Sequence, residues 1–114
     1  MMEFDSNKPI YIQIADNICE RILSGELKQA GRIPSVREWG AQIGVNPNTV
    51  ARSYELLSDR KVIYNQRGIG FFIANDAVDV IRSSEKKKFL EEEVPAFKNR
   101  AALLGVELSE ILKY

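Results

Sequence analysis

The chain has no histidine and a single cysteine, Cys19, among its 114 residues. Those two shortages remove most of the usual ligands for zinc and other transition metals and exclude an intramolecular disulfide. No metal or cofactor is expected. With no imidazole to activate it, Cys19 reads as a small filler beside an apolar stripe rather than as a reactive thiol. An excess of either charge is also missing, since 16 Lys and Arg balance 16 Asp and Glu. Any anionic partner must therefore be met by a local basic patch rather than by a global field. No window approaches the roughly 18 apolar residues of a membrane span. The opening "MMEFDSNKPIY" lacks a positive region followed by an apolar stretch, so a cytoplasmic protein with no membrane partner is expected. Single cores typically take about 100 to 150 residues, which allows one domain, or one small domain with an appendage.

What is present is mostly helical periodicity. Tyr11, Ile14, Ile18 and Ile22 recur at three- and four-residue intervals between Pro9, suited to a first helical position, and a stop at Gly25. Further on, Ser35 precedes Glu38 by three residues, the spacing of a reciprocal capping box, and opens a second helix through Trp39 and Ile43 to Gly44. Gly40 lies inside that helix at a propensity cost of about 1 kcal/mol, which predicts close approach by a neighbouring helix. Only Val45 and the cap residue Asn46 separate Gly44 from Pro47, where a third helix begins. Two helices joined through so short a turn form a helix-turn-helix. Beyond it, "VIYNQ" and "GFFI" are strand-like runs joined through "RGIG", where Gly68 and Gly70 permit a tight hairpin; "RI" before Pro34 can add a third strand. The expected fold is mainly α (α+β): a winged helix-turn-helix over residues 8–74 and a helical tail over 75–114.

In the tail, Leu90, Val94, Phe97, Ala101 and Leu104 alternate steps of four and three, the seam spacing of a coiled coil. These five residues are the candidate dimerisation seam; the other reading is an intrachain stripe that folds back on the winged domain. Pro95 should kink the helix or begin a new one, Gly105 should end it, and "ELSEILKY" should form a last short helix packing Leu108, Ile111 and Leu112.

The third helix carries the functional signal. At 100° per residue, Val50, Tyr54 and Leu57 share one side, while Asn48, Thr49 and Arg52 lie opposite, near the amino-terminal end. A recognition helix entering the major groove carries its base contacts at that end. Asparagine can bond adenine at two atoms, threonine offers a hydroxyl and a methyl for thymine, and arginine can grip guanine or phosphate. The ordinary alternative is that these are helix-start residues and a solvated arginine. Two further arginines add weight: Arg37 in the first turn of the second helix and Arg67 at the hairpin tip, placed for phosphate or the minor groove.

Together, "PIYIQIADNICERILSGEL", "GRIPSVREWGAQIGVNPNTVARSYELL" and "RGIGFFI" resemble the winged helix-turn-helix domain of GntR-type bacterial transcription regulators. The ending "AALLGVELSEILKY" is similar to the short YtrA-type branch, in which a brief helical tail mediates dimerisation. By that resemblance Arg37, Asn48, Thr49 and Arg52 contact DNA, and Gly68 with Arg67 brings the wing to it. Ser35 and the cap Asn46 complete the expected DNA-binding set. The chain also departs from the family pattern. Pro47 stands where many relatives have arginine, Trp39 and Gly40 replace a usual leucine and alanine, and Lys61 takes a common glycine position.

The resemblance implies a sequence-specific regulator, a repressor by expectation, that binds double-stranded operator DNA as a homodimer. The rival is a winged-helix module whose third helix binds another protein. An enzyme is the weakest class: the "EEE" run splays around a helix, and "GIG" lacks the further spaced glycine of a dinucleotide loop. A small-molecule effector is left open.

Overall fold

The apolar spacing of the first segment produces α1 (Ile10–Leu23), which buries Ile14, Ala15, Ile18, Cys19 and Ile22. Pro9 is the N-cap rather than the first helical residue, and its carbonyl accepts from the amides of Ile12 at 3.1 Å and Gln13 at 3.2 Å. The computed structural model describes residues 2–114. These form two compact units, one ending at Ile81 and the other comprising Arg82–Tyr114.

In the first unit, α1 is followed by β1 (Arg32–Ile33), α2 (Val36–Ile43), α3 (Pro47–Asp59), β2 (Ile63–Gln66) and β3 (Gly70–Ile73). Helix α3 packs against both α1 and α2. The strands form an antiparallel sheet in the order β1-β3-β2, so the two-residue strand expected before Pro34 does extend the wing. The register pairs Ile33 with Phe71 and Ile63 with Ile73. With alternate residues on opposite faces, Ile33, Ile63, Phe71 and Ile73 share the inner face. Arg32, Tyr64 and Phe72 share the outer one, where the Tyr64 and Phe72 rings stack 5.8 Å apart.

The core joins Ile14, Ile18 and Ile22 to Trp39, to Val50, Tyr54 and Leu57 of α3, and to the inner sheet face. Tyr54 sits at its centre. Its ring meets Trp39 and Phe71 edge to face at 6.5 and 4.9 Å, and its hydroxyl donates to the Pro34 carbonyl at 2.6 Å. That bond ties α3 to the segment leading into α2. Burial, with a smaller contribution from the negative Glu38, raises the Tyr54 pKa well above the ordinary phenol value, so the hydroxyl stays a donor. Ala77 and Ile81, from the first half of α4 (Ala77–Lys88), complete this core.

Local capping follows the sequence closely. Ser35 accepts from the Glu38 amide at 3.1 Å while Glu38 accepts from the Ser35 amide at 3.3 Å, closing the capping box at the start of α2. Gly44 ends that helix with a left-handed φ of 73°. The far end of α3 is less ordinary. Lys61 takes the left-handed conformation at φ 66°. The Val62 amide donates to the Leu57 carbonyl and the Lys61 amide to that of Ser58, the two bonds of a Schellman cap. A lysine therefore holds the conformation that glycine usually takes, and burial of Leu57 and Val62 in the core holds it there.

The close approach at Gly40 comes from a different neighbour than expected. A Cβ there would lie 2.5 Å from the Val45 carbonyl oxygen and 3.5 Å from the Pro47 nitrogen. The turn and the first residue of α3, rather than the body of a helix, press on Gly40.

Past Lys88 the helix widens into a π-helical turn (Phe89–Glu93) and returns to α geometry as α5 (Val94–Leu104). Proline cannot donate and its ring collides with the carbonyl four residues back. Pro95 is housed by this widening, in which the Val94 amide donates to the Phe89 carbonyl five residues earlier. The helical path thus continues through Pro95. Gly105 ends α5 at φ 68°, and α6 (Leu108–Ile111) follows. Packing of the last helix differs from expectation: Ile111 is half-buried, but Leu108 and Leu112 are 68% and 75% exposed. Four residues are too short to bury an apolar face against their own chain.

Candidate nucleic-acid interface

The start of α3 is built by its cap. Asn46 turns its side-chain oxygen onto the Asn48 amide at 2.8 Å, and Pro47, which has no N–H to satisfy, takes the first helical position. That bond commits the Asn46 oxygen to the helix. The Asn48 side chain, one residue after Pro47, is exposed and has no hydrogen bond among the described residues. Thr49 is half-buried rather than fully outward. Arg52 is exposed, and its guanidinium lies over the Tyr11 ring at 4.1 Å from the centroid.

The other expected residues lie on α2 and at the hairpin tip. Arg37, in the first turn of α2, is exposed and without an ion pair among the described residues; Ser35 beside it is half-buried in the capping box. Hydrogen bonds from the Ser35 amide and then its hydroxyl hold the Glu38 carboxyl below its ordinary pKa, and the Arg32 charge adds to the effect. Arg67, Gly68 and Ile69 form the exposed hairpin tip, closed by an Ile69 amide bond to the Gln66 carbonyl at 2.9 Å. Gly68 at φ 80° and Gly70 at φ 141° occupy conformations that side chains rarely adopt.

Two residues of this surface escaped sequence reasoning. The Arg32 side chain crosses Gly70 so closely that a Cβ there would lie 3.1 Å from its Nε. Spacing alone makes Tyr11 a member of the apolar stripe, yet its ring supports Arg52 and its carbonyl accepts from Ser53 Oγ at 2.7 Å. Its place in the first turn of α1, at the edge of the stripe, was the available signal for a face that is only partly buried.

The described residues hold no group of acidic, histidine or cysteine side chains able to bind a metal ion, and no helix among them is long and apolar enough to cross a membrane. Free arginines and a short amide side chain offer donors to anions and base edges. A winged helix presenting such donors matches a known family model, that of the bacterial regulatory proteins of the gntR family, over residues 10–73. The chain belongs to the gntR family. Like other gntR regulators it is a DNA-binding transcription regulator with a winged helix-turn-helix, and it is not an enzyme.

Two relatives span nearly all of this gntR chain. The uncharacterized HTH-type transcriptional regulator YhcF of Bacillus subtilis is 39% identical over 97% of this chain and 90% of its own. The HTH-type transcriptional repressor YtrA of the same organism is 34% identical over 97% and 86%, which matches the YtrA-type branch. A solved putative GntR-family regulator from Bacteroides thetaiotaomicron is 52% identical, with a TM-score of 0.71 over 91% of this chain and 90% of that one. The DNA-binding domain of AraR, solved in complex with operator ORR3, is 28% identical with a TM-score of 0.57, over 65% of this chain and 87% of that one.

Proposed function

We propose that this gntR-family regulator is a sequence-specific repressor, acting in the cytoplasm and binding an inverted-repeat operator as a homodimer. The observation that carries this reading is the exposed amino-terminal end of α3. Asn48 and Arg52 are open there to a base edge, while Arg37 and Arg67 are free to meet phosphate or the minor groove. Forked guanidinium and amide donors suit base edges and phosphate oxygens alike. The operator complex of AraR supports DNA as the partner of this kind of surface, and the repressor YtrA, similar along nearly the whole chain, supports repression.

Dimerisation is assigned to the seam of Leu90, Val94, Phe97, Ala101 and Leu104. Leu90, Phe97 and Leu104 are 53%, 54% and 59% exposed, and Val94 and Ala101 are half-buried. So much exposed apolar surface on one short unit is unfavourable in water and favours association. A twofold pair would place two recognition helices about 34 Å apart, matching half-sites one turn apart.

The test uses the full chain and duplexes enriched by it from a random-sequence library. Affinity should fall steeply with salt, with a slope reflecting several phosphate contacts per dimer, and the enriched duplexes should be inverted repeats. Arg52→Ala and Asn48→Ala should each lose about 1–3 kcal/mol of discrimination, whereas Arg67→Ala should weaken all sequences evenly. Salt-insensitive or absent binding would instead favour a protein-interaction module, and three variants that bind like the parent would remove the assigned surface.

A further inference from the structure

The geometry points to Tyr11 as a positioning residue for base recognition: its ring is the platform that holds the Arg52 guanidinium in place on the exposed side of α3. This rests on the assignment of Arg52 to base contact made above. Two observations support it independently. The Arg52 guanidinium lies 4.1 Å above the Tyr11 ring centroid. The next residue, Ser53, is fully buried and donates its hydroxyl to the Tyr11 carbonyl at 2.7 Å. The backbone of α1's first turn is thereby tied to α3 beside Arg52, which keeps the ring within reach of the guanidinium.

An arginine free in solvent samples many rotamers and must lose that freedom when it meets a base. Stacking removes part of the loss in advance. A guanidinium stacked face-on against a ring leaves its in-plane N–H groups free for a two-point contact with guanine O6 and N7. Arg52 has no ion pair among the described residues that would compete for those donors. The tyrosine hydroxyl is not part of the stacking, so phenylalanine should serve as well.

The probe is the duplex most enriched by the full chain from a random library, together with its single-base-pair variants. Arg52→Ala first identifies the base pair whose discrimination depends on Arg52. Tyr11→Leu should lose about two- to fivefold of discrimination at that same pair and little elsewhere. Tyr11→Phe should retain it, and Tyr11→Leu should add nothing when combined with Arg52→Ala. Tyr11→Met, which keeps the bulk but removes the ring, gives a second readout if Tyr11→Leu fails to fold; it should lose discrimination at that same pair while total affinity changes less.

Even weakening across all pairs by Tyr11→Leu, additive loss in the double variant, or loss by Tyr11→Phe overturns the platform role while leaving Arg52 as a reader. No effect of Arg52→Ala on any pair overturns the reading of Arg52 itself, and the platform with it.

Discussion

The two units of this regulator solve the problem of apolar surface in opposite ways. Up to Ile81, three helices, a sheet and the first half of α4 enclose Trp39, Tyr54 and a set of isoleucines that are nearly inaccessible to solvent. From Arg82 onward no residue is buried, although Leu103, Leu108 and Leu112 are among the most exposed large side chains of the chain. Both segments carry regular apolar spacing. Periodicity states which residues share a face; only a second layer decides whether that face is covered.

The sharpest way to break the contrast is to substitute on each side of it. Ile18→Ala, at a position with no exposure, should cost about 2–5 kcal/mol in urea unfolding through lost burial and the cavity left behind. Phe97→Asp, on the exposed seam, should change unfolding at low protein concentration by less than about 0.5 kcal/mol. In sedimentation it should instead convert the proposed dimer to a monomer. A seam variant that unfolds the winged unit would show that the two regions are not independent.

Within the first unit, Gly40→Ala tests how tightly the helix-turn-helix closes. Alanine improves helix propensity by about 1 kcal/mol. Its methyl would meet the Val45 carbonyl at 2.5 Å, with the Pro47 backbone close behind, and such overpacking costs about 1–3 kcal/mol. The clash should win, for a net loss of up to about 2 kcal/mol by chemical denaturation. A neutral or stabilising outcome would mean that the turn yields easily.

Lys61→Gly should move stability the other way. A left-handed residue other than glycine costs about 1–2 kcal/mol, and the greater freedom of glycine in the unfolded chain returns about 0.5–1 kcal/mol of that. A gain of about 0.5–1 kcal/mol is expected, read as a raised Tm.

The smallest expected effect is a pH dependence. The Glu38 pKa is lowered by its bonds to the Ser35 amide and hydroxyl. Its capping contribution is therefore present above the ordinary carboxylate range and is lost as pH falls through the folded value. Glu38→Gln should flatten that part of the acid unfolding profile; an unchanged profile would show the box to be open in solution.

Much of the fold was legible because its signals are local. The Ser35 to Glu38 spacing, the Asn46 cap before Pro47, and Gly44, Gly68 and Gly105 at positive φ each depend on residues a few positions apart. The outward Asn48 and the buried Val50, Tyr54 and Leu57 follow from one helical wheel. What was not legible required contacts between distant segments. Nothing near Arg52 in sequence names Tyr11 as its neighbour, and nothing near Gly70 names Arg32. The π-helical turn was half visible: Pro95 demanded a disturbance, but whether the helix would break or widen depended on competing backbone geometries.

By itself the sequence determined where elements start and stop and which side of each is apolar, because capping, proline geometry and periodicity act over a turn or two. Tertiary structure alone decided that a turn carbonyl would press on Gly40, that a lysine would hold a glycine's conformation at position 61, and that Arg52 would lie on a ring from another helix. Those outcomes depend on surfaces brought together across the chain, where packing outweighs local preference.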